Sequence, residues 1–185
     1  MAKESPSLKH TLTAAKSEIT LRLHYPEVTV SEAAVNLTTE ATKLTPTLSI
    51  ATSALKGPET RYLAVSIDLD APFPSFPIMS PILHGLHIDL VAGPAGSDGF
   101  APLEGTADWF VPYAGPGPPK PSAAHRYVFM VFEQPEGCDA ARIRKTMKFG
   151  DPMSIASRMR WDQESFEKKL GIGKVLAGNY YLTRG

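Results

Sequence analysis

The chain has 185 residues, 43% of them hydrophobic and 9% aromatic, with 19 basic and 19 acidic side chains that cancel. That length suits a single domain with a sizeable core, and neutrality argues against a nucleic-acid surface or a charged tail. Cys138 is the single cysteine, which excludes an internal disulfide or a thiolate metal cluster.

Residues 1–17 are polar and read as a flexible segment ahead of one domain over 18–185. Lacking a continuous apolar stretch and carrying two glutamates, the opening does not resemble a secretory signal. No apolar run approaches a membrane span, so a cytoplasmic protein is the simplest expectation. Ile19, Leu21 and Leu23 then alternate with Thr20, Arg22 and His24, the period of a half-buried strand that Pro26 limits. Residues 28–31 and 48–51 are shorter strand candidates, joined by a threonine-rich connection. YLAVSIDLD, residues 62–70, predicts a strand with Leu63, Val65 and Ile67 on one face. It stops at Ala71-Pro72, and FPSFPIMSP adds three prolines, too few amide donors for a central strand.

A further strand is expected over 84–92. Residues 93–126 are rich in glycine, proline and small residues and read as long loops held by Trp109, Phe110 and Tyr113. YVFMVF, residues 127–132, lacks polar alternation and predicts a strand covered on both faces. Asp139 and Asp162 are candidate caps for two late helices, the second stopped by Gly171. Strands followed by helices predict a mainly β domain with a sheet-on-sheet core.

Three clusters could carry chemistry. Asp68 and Asp70, at i and i+2, start on one face of a strand end, where paired carboxylates can share a proton or meet a cation. Equally, one can cap the turn while the other meets solvent. In HGLHID, His84 and His87 fall on opposite strand faces, so they make a poor metal pair. His125 and Tyr127 stand behind a rim begun by Gly117 and Pro118 and can donate to an anionic oxygen. Arg126 alternates away and is placed to brace a carboxylate. No phosphate loop or nucleophile elbow is present, and GPGPPK loses to proline the amides that a phosphate loop uses. No metal or cofactor is implied.

DLDAP (68–72), HGLHIDL (84–90), GPPKPSAAHRYVFMVFEQP (117–135) and FEKKLGIGKVLAGNYY (166–181) together resemble the phosphatidylethanolamine-binding protein family, over roughly residues 18–183. The resemblance implies a β-sandwich-like fold with a large central antiparallel sheet, a smaller second sheet and peripheral C-terminal helices. It also implies a pocket at one sheet end, formed by Asp68, Asp70, His84, Gly117, Pro118, His125 and Tyr127. In the family these groups hold phosphate, phosphoryl headgroups or small carboxylates, and some members meet a protein partner.

The chain departs from that pattern at several points. Leu69 stands for the motif's proline, Phe73-Pro74 for serine-arginine, Ala123 for glycine and Asp89 for a common asparagine. Gly85 stands where many microbial relatives carry tryptophan, which implies open space beside His84 for FPSFPIM to line. Kinase or protease inhibition is not carried over without the serine-arginine segment. Fungal relatives in polyketide pathways, including those that join maleic anhydride units into maleidride rings, imply an alternative. There His84 or His125 would act as acid or base, Tyr127 would stabilise an enolate or carboxylate, and Asp68 would orient a histidine.

Overall fold

The computed structural model describes residues 4–150 and 153–185. Nine strands form one sheet: β1 (Leu21–His24), β2 (Thr29–Val30), β3 (Val35–Leu37), β4 (Thr47–Ala51), β5 (Tyr62–Asp68), β6 (Ile82–Ala92), β7 (Phe100–Gly105), β8 (His125–Glu133) and β9 (Val175–Thr183). Their order is β2-β1-β4-β7-β6-β5-β8-β9-β3, antiparallel except for the β3–β9 pair. The fold is a mainly β sandwich. Its second layer is continuous with the first, however, because β7 hydrogen-bonds both to β4 and to β6.

Two cores follow from the alternation of side chains along the central strands. On one face, Leu63, Val65 and Ile67 of β5 and Val128, Met130 and Phe132 of β8 pack beneath helices. On the other, Tyr62, Tyr127, Phe129 and Val131 meet Leu21, Leu23, Leu48 and Ile50 from the folded-over half. Each such fully buried Leu or Phe contributes roughly 1.5–3 kcal/mol. Burial on both faces is why YVFMVF shows no polar alternation. The two layers are also stapled by Asn179, whose amide donates to the carbonyls of Leu21 (3.0 Å) and Val30 (3.2 Å).

Four helices flank the sheet: α1 (Pro6–Ala14), α2 (Ala140–Met147), α3 (Ile155–Arg158) and α4 (Gln163–Leu170). Asp139 and Asp162 accept from Arg142 N and Ser165 N as N-caps, and Gly171 ends α4 in the left-handed region at φ 71°.

Three expectations need correcting. The segment 1–17, read as flexible, instead holds α1 within its described part, capped by Ser5 and started by Pro6. Leu8 is fully buried, and Gly178 lets α1 lie on β9, since a Cβ there would stand 2.4 Å from Thr11. The 93–126 loops contain β7, and the threonine-rich connection contains β3. Proline at 102 and an edge position masked both, because neither short strand shows a strong apolar pattern.

Candidate functional site

β5 ends at Asp68 because the chain bends there: the Asp68 carboxylate accepts the Asp70 N–H at 2.8 Å and so caps the turn. Its other oxygen lies 3.0 Å from His125 Nδ1. The far ring nitrogen of His125 lies 2.9 Å from Ser122 Oγ. His125 is therefore completely buried with both nitrogens engaged. Both ring nitrogens thus have protein partners, Asp68 on one side and Ser122 on the other.

Tyr127, two residues along β8, lies parallel to Tyr181 at 5.4 Å and edge-on to His84 at 5.2 Å. Burial, followed by the nearby Asp68 charge, drives its phenol pKa far above the ordinary value; the Gly117 amide, donating to the phenol oxygen, acts the other way, and the hydroxyl's own hydrogen bond to Asp68 adds to the rise. The phenol thus remains a proton donor at all physiological pH values. His84 donates from Nδ1 to the Ala114 carbonyl at 2.7 Å, taking this tautomer from its acceptor. Burial holds its pKa below the usual 6.5, and the nearby Arg158 and His125 push the same way. Near neutral pH the ring is uncharged, and Nε2 carries a lone pair.

These groups share a cavity of about 770 Å³. Asp68, His84, His125 and Tyr127 form its polar floor, Gly117, Pro118 and Pro119 one rim, and Pro72, Met79, Ile82, Tyr113, Ile155 and Met159 its largely apolar walls. Gly117 has nothing within 4 Å of the position a Cβ would take, so the rim is open there. The 78–81 wall is held to the segment after α3: Arg160 N donates to the Met79 carbonyl (3.0 Å) and Trp161 N to the Pro81 carbonyl (2.7 Å).

Asp70, expected among the ligand-binding groups, lies elsewhere. Past the end of β5 it faces Arg126, which grips it from Nε and Nη2, each at 2.8 Å, with the Arg126 amide adding a third bond at 2.9 Å. Arg126 also reaches Glu4 at 2.9 Å.

Gly85 does not open space beside His84. Trp109 occupies that room, 2.6 Å from where a Cβ would stand, and its ring stacks on His87 at 5.1 Å. From FPSFPIM only Met79 and the preceding Pro72 reach the cavity wall, while Phe76 and Ile78 are exposed.

Arg158 was missed from sequence because nothing local marks it. It ends α3, lines the cavity and donates to the Pro112 carbonyl at 2.9 Å. Among the described residues, no group of His, Cys, Asp and Glu is arranged to hold a metal ion.

The family model for phosphatidylethanolamine-binding protein matches residues 17–181. The chain belongs to this family. A phomoidride biosynthesis cluster protein of Talaromyces stipitatus is 38% identical over 107 residues, 56% of this chain and 50% of that protein. The carboxypeptidase Y inhibitor of Saccharomyces cerevisiae is 49% identical over 81 residues, 40% of this chain and 32% of that one. The chain thus spans half or less of the length of these curated relatives. The crystal structure of carboxypeptidase Y inhibitor complexed with its cognate proteinase superposes with a TM-score of 0.69 at 22% identity, covering 89% of this chain and 82% of that one. That likeness speaks for the fold. Among the described residues, no helix of this family member is long and apolar enough to cross a membrane.

Proposed function

We propose that this member of the phosphatidylethanolamine-binding protein family binds a small anionic organic ligand, either a carboxylate or a phosphoryl headgroup, that carries an apolar arm. One observation carries the reading: a polar floor of Asp68, His84 and Tyr127 lies beneath walls of Pro72, Met79, Ile82, Ile155 and Met159 in a single cavity. Its volume fits a small amphiphile better than a bare phosphate ion. Asp68 already accepts from Asp70 and His125, so its charge is spread over existing hydrogen bonds before a ligand arrives.

A second reading is enzymatic and is favoured by the similarity to the phomoidride cluster protein. In that reading the pocket serves a fungal polyketide pathway of the maleidride kind. His84 Nε2, uncharged and unprotonated, takes a proton from carbon next to a carbonyl. The Tyr127 hydroxyl steadies the resulting enolate oxygen, and His84 returns the proton once the new bond has formed. His125, held on both sides, stays a positioning residue for Asp68 in either case.

Native mass spectrometry with a short-chain phosphatidylethanolamine and, separately, with an alkylated maleic diacid tests both readings. Saturable one-to-one retention without new product supports the binding protein. A coupled product, followed by chromatography and lost in His84→Ala, supports the enzyme. Retention of neither compound counts against both.

A further inference from the structure

Among the described residues, Arg22 meets Asp98, Arg61 meets Asp89 at 3.0 Å and Arg126 meets Asp70 at 2.8 Å, while Arg142 and Arg160 donate to the backbone carbonyls of Glu136 and Ile78. Arg158 is set apart by its place on the cavity wall and by its buried Nε. It is half-buried on the cavity wall, and its single protein contact there is the Pro112 carbonyl. Its Nε is buried without any hydrogen-bond partner, and among the described residues no carboxylate pairs with it. A guanidinium has five donor hydrogens in a planar fork matched to oxyanions. Leaving the Nε–H unpaired where it is buried is unfavourable.

The floor does not supply the missing charge. Asp68 is an acceptor, His125 is held between Asp68 and Ser122, and His84 turns its Nδ1–H onto Ala114. Tyr127 is neutral. An anionic head entering this cavity therefore finds one side chain with an uncommitted positive charge. Arg158 is close enough to His84 for its charge to disfavour a protonated imidazole, so the two are not interchangeable as cations. Burial alone also pulls the Arg158 pKa downward, with no acid acting against it.

We propose that Arg158 is the specificity-determining counter-ion of the cavity, selecting amphiphiles with an oxyanion head, carboxylate or phosphoryl, over neutral amphiphiles of the same shape. Ile155 and Met159, its neighbours on and just after α3, line the same wall and place apolar surface beside the fork. The ligand class is thus an alkyl-substituted oxyanion whose head meets the guanidinium while its arm lies on Ile155, Met159 and Met79. This inference rests on the binding reading above.

The test is calorimetric titration of the full chain with octylsuccinate, octyl phosphate and dimethyl octylsuccinate. Arg158→Gln is expected to weaken octylsuccinate roughly 10- to 100-fold, as loss of hydrogen bonds to a charged group does. The neutral diester should bind the variant as it binds the parent. Arg158→Lys keeps the charge without the fork and should recover part of the loss. Octyl phosphate should weaken in Arg158→Gln as octylsuccinate does, and a neutral diester weakened as much as either acid would overturn selection by charge. If Arg158→Gln binds octylsuccinate like the parent while Tyr127→Phe does not, the cavity reading stands and Arg158 is not the counter-ion. If the parent binds none of the three, both fall. A thermal melt of each variant separates loss of binding from loss of fold.

Discussion

Asp68 and Asp70 are two residues apart, yet they belong to opposite kinds of environment. Asp70 is closed off: Arg126 grips it with three bonds, and Glu4 takes the far side of the guanidinium. Asp68 faces a cavity in which Arg158 keeps an unpaired Nε and the His84 Nε2 has no protein partner among the described residues. Ionic groups that satisfy one another hold the sheet end in place. Those left open are available to a ligand. Charge and burial alone do not separate the two regions, since both aspartates are buried. What separates them is where each hydrogen-bond inventory ends.

The sharpest break of this comparison is Asp70→Ala. It leaves the Arg126 guanidinium with Glu4 alone, and after discounting for its partial exposure the expected loss is roughly 2 kcal/mol of stability. Urea unfolding reads that loss, and ligand affinity should stay within about a factor of two. A variant that kept its stability but lost binding would place Asp70 on the cavity side after all. Tyr127→Phe should do the reverse, costing roughly tenfold in affinity, about 1.4 kcal/mol, with a smaller effect on stability. Titration calorimetry and a melt on the same sample separate the two.

Gly85→Ala probes the wall behind His84. Its Cβ would stand 2.6 Å from the Trp109 ring, so overpacking of roughly 1–2 kcal/mol is expected. Were space available there, the alanine would be neutral, and the Trp109 fluorescence would not move. The smallest effect concerns pH. Burial lowers the His84 pKa from 6.5, so the unfolded chain binds that proton more readily than the native one. The sign follows from linkage: the stability associated with a neutral His84 is complete above about pH 6.5 and declines as pH falls towards the folded value. His24 and His87 are lowered as well and act in the same direction. Replacing His84 with Gln should flatten part of the fall in urea midpoint between pH 7 and pH 5.

How much of this was visible in the residues depends on how local each cause is. β5, β6 and β8 were legible because their apolar runs are continuous or alternate, and the caps at Asp139 and Asp162 act within three residues. The α1 helix was not, because its polar composition hides Leu8 and its packing depends on Gly178 at the other end of the chain. The pocket residues Asp68, His84, Gly117, Pro118, His125 and Tyr127 all line the cavity. Asp70 was misplaced because strand parity no longer applies once β5 ends at Asp68. Arg158 gave no signal, since an arginine in the run Ser157-Arg158-Met159-Arg160 is ordinary on a surface helix.

By itself the amino-acid sequence determined the mainly β character, the central strands and the late helices with their caps. Those follow from periodicity, capping and residue type, which are properties of neighbours along the chain. Tertiary structure alone decided that the sandwich is one continuous sheet, that Trp109 fills the room beside Gly85, that the carboxylate braced by Arg126 is Asp70 and not Asp68, and that Arg158 meets no carboxylate among the described residues. Each of these is a contact between residues brought together only by folding. Burial and the absence or presence of a counter-charge are then set by what arrives from elsewhere in the chain.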